Sequence, residues 1–317
     1  MDKIIELINT AKKCAIIPHV KADGDAIGSC LAMRAMLRRM GKEAVIYAEE
    51  PVEKRLEFLN DDIAVIYDGE PADCDTCIVL DCGDLGRVSA REPIFNAALH
   101  TINIDHHKTN TFFAEANYVE ADACATGEIL FKLFKKMGQT LDAEISGYLY
   151  AAICSDSGCF AYSNVSPGTF RIAAELVEHG INHAETARLL FDCEDINSEK
   201  MKAELTGRIN SYYDGRLRIV TVSENETAKY GIKPEDIQDL VNLPRRIRGT
   251  EIAAAIKQYD GKIRVSLRSN GNADVAAVAL VFGGGGHTKA AGCTMNVDSL
   301  GEAEELIVKA CEGAFNG

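Results

Sequence analysis

The sequence predicts an α/β fold, a doubly wound and mostly parallel sheet domain followed by a smaller α+β C-terminal domain. Three observations carry that expectation. Short apolar runs alternate with stretches of helical spacing in the first part of the chain, turn-linked strand patterns replace them after residue 204, and charge divides unequally between the two parts. With 317 residues, 47% hydrophobic and 26% charged, the chain has room for two ordinary domains with substantial cores, which excludes disorder throughout.

Taken in order, residues 1–13 read as an amphipathic helix and not a signal peptide. No apolar run reaches the ~18 residues that a membrane helix needs, so a cytoplasmic protein without membrane contact is expected. The strand-like runs are CAIIPH (residues 14–19), EAVIYA (43–48), IAVIY (63–67), CIVLDCGD (77–84) and HTINIDHH (100–107). Near-continuous Val, Ile and Leu of this kind mark strands buried on both faces. Residues 26–40 have helical spacing and stop at Gly41, and further helices are expected over 125–138, 141–156 and 167–180, the last opening on Pro167 and closing on Gly180. Residues 191–203 are polar, lack strand character and read as a linker between a domain at 1–190 and one at 204–317. The second domain repeats a turn device, Asp214-Gly215 and Asp260-Gly261, each between strand-like runs. A helix over 274–282, the run GGGGH (283–287) and a last helix over 300–311 complete it.

The net charge of −14 argues against a protein that tracks long nucleic acid by neutralising phosphates. Residues 1–204 hold 20 basic and 34 acidic residues, whereas residues 205–317 hold 14 of each. Within the second part, residues 245–289 carry eight basic and three acidic residues, a patch suited to a short anion. Eleven cysteines spread over a chain this long do not read as a disulfide framework, and the lone Cys74-x-x-Cys77 has no second pair beside it.

The chemistry-bearing residues stand at the ends of the apolar elements. His19, Asp23 and Asp25 follow the first run, Asp81 the fourth and Asp105, His106 and His107 the fifth, while Asp156 ends the apolar helix YLYAAICSD. A plainer reading of the first loop makes Asp23-Gly24 a turn and Asp25 a helix cap. Taken together, converging carboxylates repel one another and call for compensating positive charge. Five Asp with two or three His exceed what one metal needs and suit two divalent ions such as Mn²⁺, whereas the absence of thiolates argues against structural zinc. Two such ions serve phosphoester hydrolysis. A nucleotide-binding dehydrogenase or P-loop enzyme is the rival on such a sheet, but neither glycine signature follows the first strand. Three other histidines, His100, His179 and His183, read as surface or helix-end residues, and Arg87 as either a phosphate contact or a surface ion pair.

In this order and on these elements, HVKADGDAIGS (19–29), VLDCGD (79–84), IDHH (104–107) and SDSG (155–158) resemble the four motifs of the DHH phosphoesterases. RVSLRS (264–269) and GGGGH are similar to the DHH-associated C-terminal domain, so the resemblance spans nearly the whole chain. Among the family's branches, a compact chain resembles the nano-RNase and 3′-phosphoadenosine 5′-phosphate phosphatases. The resemblance implies one metal on His19, Asp23 and Asp81 and a second on Asp25, Asp81, His106 and Asp156, with Asp81 bridging. It implies catalytic roles for His107, at the scissile phosphate or leaving group, and for Asp105, which would orient the histidine pair. In the second domain Arg268, Ser269, Gly284, Gly285, Gly286 and His287 would bind substrate in a cleft between the domains.

The implied enzyme is a hydrolase that uses two Mn²⁺, or Mg²⁺ or another divalent cation, to activate a bridging water. It would cut short single-stranded oligonucleotides to mononucleotides and remove phosphate from 3′-phosphoadenosine 5′-phosphate, with long duplexes excluded and a homodimer implied by its relatives. Alternatives are a cyclic or linear dinucleotide phosphodiesterase, an inorganic pyrophosphatase, or a non-catalytic nucleotide-binding protein.

Overall fold

A computed structural model describes residues 1–59, 64–232, 237 and 240–315, so the run that begins at Ile63 starts outside the described residues. The chain forms two compact units, Met1–Cys193 and Glu194–Gly317.

The first unit runs α1 (Asp2–Thr10), β1 (Lys13–Pro18), α2 (Gly24–Arg39), β2 (Glu43–Ala48), β3 (Val65–Ile66), β4 (Thr76–Leu80), α3 (Glu92–Ala97), β5 (His100–Asp105), β6 (Ala116–Val119), α4 (Thr126–Lys136), α5 (Ala143–Asp156), α6 (Pro167–Glu178) and α7 (His183–Phe191). Its six strands are all parallel and lie in the order β3-β2-β1-β4-β5-β6. This is the order of a doubly wound sheet, and it reverses between β1 and β4. Both faces are covered: Cys14 and Ile16 of β1 join a core with α1, α2, α4 and α5, while Ala15 and Ile17 join another with Val88, Ile94 and Phe95. Asp23 caps α2, its Oδ1 accepting from the Asp25 and Ala26 N–H groups, so the cap lies two residues before the Asp25 of the plainer reading. Helices α2 and α5 meet at Gly28, where an added Cβ would lie 2.7 Å from the Tyr148 carbonyl oxygen.

The second unit runs α8 (Ile196–Thr206), β7 (Asn210–Tyr212), β8 (Leu217–Val222), α9 (Glu224–Lys229), α10 (Asn242–Arg245), β9 (Ile252–Tyr259), β10 (Lys262–Ser269), α11 (Val275–Leu280), β11 (Gly285–His287), β12 (Ala290–Met295) and α12 (Leu300–Cys311). Most of the stretch read as linker is therefore helix α8, started by Asp195 and holding Met201 and Leu205 buried beside Val220 and Val222. The sheet has the order β11-β12-β10-β9-β8-β7 and is antiparallel except where β8 meets β9. Asp260 and Gly261, at φ 51° and 66°, form the tight β9–β10 hairpin whose turn requires positive φ at both positions. Strand β10 buries Ile263, Val265 and Leu267 against α11 and α12, while Arg264, Ser266 and Arg268 take the other face.

Candidate metal centre

The sheet's order reverses between β1 and β4, and the crevice outside the carboxyl ends of strands at such a reversal is where ligands bind. His19 lies just past β1, Asp81 just past β4, and Asp105, His106 and His107 at and beyond the end of β5. From the side, α2 brings Asp23 and Asp25 in its opening turn, and α5 brings Asp156 as its last residue.

These elements bring all the sequence-selected metal residues together. His19 Nε2 is 3.8 Å from Asp23 Oδ2 and 3.6 Å from Asp81 Oδ2. His106 Nε2 is 3.8 Å from Asp25 Oδ2, 3.5 Å from Asp81 Oδ1 and 3.6 Å from Asp156 Oδ2. Asp81 thus turns one oxygen to each group, from a left-handed backbone with φ 56° that places the strain at the site. Such spacings exceed ordinary hydrogen bonds but suit ligands of one cation, since donors ~2.1 Å from an ion lie ~3.0 Å apart at right angles and up to ~4.2 Å apart when opposite. The donor set is carboxylate and imidazole, which fits Mn²⁺ or Mg²⁺ with several carboxylates and no thiolate.

The surrounding bonds fix these donors. His19 Nδ1 lies 2.7 Å from the Val20 carbonyl and His106 Nδ1 lies 3.2 Å from that of Ala123, so each ring donates there and turns Nε2 toward the carboxylates, where it is the nitrogen left to take a cation. Asp25 is fully buried at the start of α4, where its carboxylate accepts from Thr126 N at 2.6 Å, Gly127 N at 3.0 Å and Ser29 Oγ at 3.0 Å. Thr126 Oγ1 also donates to Asp81 Oδ1 at 3.0 Å. Asp105 holds His107 through a 2.6 Å contact to Nδ1 and accepts from Asn110 Nδ2 at 2.6 Å. It positions one histidine, not the pair, because His106 rests on Ala123 instead. His107 Nδ1 also comes within 3.8 Å of Asp81, but its bond to Asp105 occupies that nitrogen.

Without cations the cluster retains protons. Burial pushes Asp25 well above the carboxylate range, and the charges of Asp81, Asp156 and Asp23 push it further. Burial likewise takes Asp156 to about 7, with His106 opposing and Asp23 and Asp81 adding. For His19 burial disfavours the charged ring, but Asp23 and Asp81 outweigh it and raise the group to about 10. The bond to Asp105 raises His107, against burial.

In the second unit, the register aligns Arg218, Ala253, Arg268, Ala290 and His287 in one row across five strands on one face. Arg218, whose Nη1 donates to Thr250 Oγ1 at 2.6 Å, does not stand out in the sequence, because only the register places it in the row of Arg268 two strands away. Ser269 takes the opposite side: it is buried with the core face and donates to the Gly271 carbonyl, so alternation along β10 separates it from Arg268. The last three residues of GGGGH, Gly285–His287, form the edge strand β11. Added Cβ atoms at Gly284 and Gly286 would meet the β12 backbone at Gly292 and Ala290, whereas Gly285 faces open space. The remaining histidines stay outside the centre, His100 against Glu115, His179 against Ser146 and His183 beside Tyr150. Every cysteine is unpaired.

A doubly wound sheet whose switch point gathers carboxylates and imidazoles around one shared aspartate defines the class, a metal-dependent phosphoester hydrolase. The chain belongs to the DHH family: residues 13–153 match the DHH family, N-terminal domain, and residues 217–313 match the DHHA1 domain. It is 32% identical over 302 residues, 93% of this chain and 88% of the relative, to the bifunctional oligoribonuclease and PAP phosphatase NrnA of Thermus thermophilus. The NrnA of Bacillus subtilis is 25% identical over 96% of both chains. An exopolyphosphatase-related protein from Bacteroides fragilis shares the fold with a TM-score of 0.92 at 24% identity, over 98% of this chain and 95% of that one. Among the described residues no helix is long and apolar enough to cross a membrane.

Proposed function

We propose that the protein hydrolyses short single-stranded oligonucleotides to mononucleotides and removes phosphate from 3′-phosphoadenosine 5′-phosphate, with two divalent cations of which Mn²⁺ suits the donors best. One observation carries the chemistry: the Asp81 carboxylate faces His19 through Oδ2 and His106 through Oδ1, which is the disposition of a bridging ligand. The substrates are supported by the two NrnA relatives that align along nearly the whole chain. His19, Asp23 and Asp81 would hold one cation, and Asp25, Asp81, His106 and Asp156 the other. When bound, such a pair lowers the pKa of a water and neutralises phosphoryl charge.

The protein's own residues supply the rest. Asp105 holds His107 by Nδ1, which leaves Nε2 outward, and a ring biased toward its charged form donates a proton to the leaving oxygen there. Thr126 and the α4 N-terminus hold Asp25 and Asp81 at fixed angles. In the second unit Arg268 and His287, with Arg218 in the same row, would receive the nucleotide and its terminal phosphate, and Gly285 leaves backbone open beside them.

Purified protein with Mn²⁺ is expected to release mononucleotides from a labelled dinucleotide or trimer, and phosphate from 3′-phosphoadenosine 5′-phosphate. Asp81→Ala is expected to abolish both. Equal turnover by that variant would sink the metal assignment, and selective cleavage of cyclic over linear dinucleotides would sink the substrate assignment.

A further inference from the structure

We infer that Arg87 is a further catalytic residue, whose guanidinium holds the phosphoryl group under attack. The inference rests on the phosphoesterase reading above. Arg87 lies six residues beyond Asp81 on the helical turn Leu85–Arg91, at the same switch point, and its Nη2 is 3.0 Å from His19 Nδ1. That nitrogen has one bonding position, and the Val20 carbonyl at 2.7 Å takes its hydrogen. An arginine has donors only, so the ring does not satisfy it. The side chain is exposed, and no carboxylate among the described residues pairs with it. An arginine held beside a cluster of carboxylates and paired with none of them has its fork directed at an anion that arrives from outside.

Its backbone is held from several directions. Val20 N donates to the Arg87 carbonyl at 3.0 Å, and Arg87 N donates to the Asp84 carbonyl at 3.1 Å. Asp84 Oδ1 accepts from Gly86 N at 2.8 Å. At the far end Glu49 accepts from Ser89 Oγ and Ala90 N, and buried Arg91 donates from Nε to the Val88 carbonyl. The turn is thus tied to β1 and to the end of β2, which fixes the origin of the Arg87 side chain. A planar fork on a fixed base suits two oxygens of one phosphoryl group, and it gains most as charge accumulates in the transition state.

The test compares wild type with Arg87→Ala and Arg87→Lys, in Mn²⁺, on a labelled dinucleotide, and measures Mn²⁺ affinity separately by electron paramagnetic resonance. Loss of one such donor is expected to lower kcat ~10²–10³-fold, with Mn²⁺ affinity changed less than about threefold and Lys recovering only part, because it cannot fork. Arg87→Ala that keeps more than about a third of wild-type kcat overturns the inference and leaves the proposed function standing. Parallel loss of Mn²⁺ binding and turnover also overturns it, since Arg87 would then be a positioning residue for His19. A wild-type protein that cleaves no dinucleotide overturns the proposed function, and the inference with it.

Discussion

At the scale of single residues, the centre separates donors from the groups that aim them, and the two kinds differ in legibility. An Asp or His at the end of an apolar run stands out in a sequence because solvation does not explain it, so His19, Asp81, His106 and Asp156 were visible. Thr126, Ser29 and Asn110 were not, because each acts by one hydrogen bond to a carboxylate that only the fold brings near. Asp105 illustrates the difference in role. Asp105→Asn keeps shape but removes the charge that holds His107, so kcat is expected to fall ~10²–10⁴-fold while Mn²⁺ affinity stays near wild type, as steady-state kinetics and metal titration would show together. A matching loss of Mn²⁺ would instead make Asp105 a ligand. Proton linkage gives a second expectation. Burial holds a proton on Asp156 up to about 7, and His19 keeps one up to about 10 under the influence of Asp23 and Asp81, against burial. A cation must displace both protons, so Mn²⁺ affinity rises with pH, more steeply below about 7 than above it. Calorimetry in buffers of different ionisation enthalpy should count more protons released per Mn²⁺ on the acid side, and a pH-independent count would contradict the cluster as described.

At the scale of elements, the close approach of α2 to α5 determines where Asp23, Asp25 and Asp156 meet. Gly28 makes that approach possible, since an added Cβ would lie 2.7 Å from Tyr148 O and 2.9 Å from Ala152 N, both backbone atoms that cannot swing aside. Gly28→Ala should therefore destabilise the fold by ~1–3 kcal/mol, read as a lower Tm, and should weaken Mn²⁺ binding as the helices part. Normal stability and affinity would mean the helix interface is more compliant than its contacts imply. Long apolar strands and the helices after them were legible in the sequence, as residues 43–48 and 300–311 show, since each recurs with the same bounds. Elements with little apolar content were not. Strand β6 is four residues with one fully inward, α8 hides two buried residues in a polar stretch, and Gly285–His287 carries no apolar side chain that would mark a strand, although β12 pairs with it. Each is defined by a neighbour distant in sequence, which local spacing does not report.

For the whole molecule, the charge asymmetry has two consequences. The acidic surplus lies in residues 1–204, which hold the cluster, so cations should stabilise the native state: Mn²⁺ at ~100 times its Kd contributes ~2.7 kcal/mol, and a chelator should lower Tm in wild type but not in Asp81→Ala. Residues 205–317, with 14 basic and 14 acidic residues, carry one local basic patch at 245–289 and no surplus of positive charge for an extended track. If two or three phosphates are neutralised in all, by Arg87 and the row of Arg218 and Arg268, the logarithm of substrate affinity should fall with the logarithm of salt concentration at a slope of ~1.4–2.1. The slope should be the same for a dinucleotide bearing a terminal phosphate and for a strand many times longer, because added nucleotides meet no further cations. Turnover should meanwhile drop with length. A slope that steepens as the strand lengthens would reveal a tracking surface that neither the charge distribution nor the strand register contains, and it would move the protein from small phosphorylated nucleotides toward polymers.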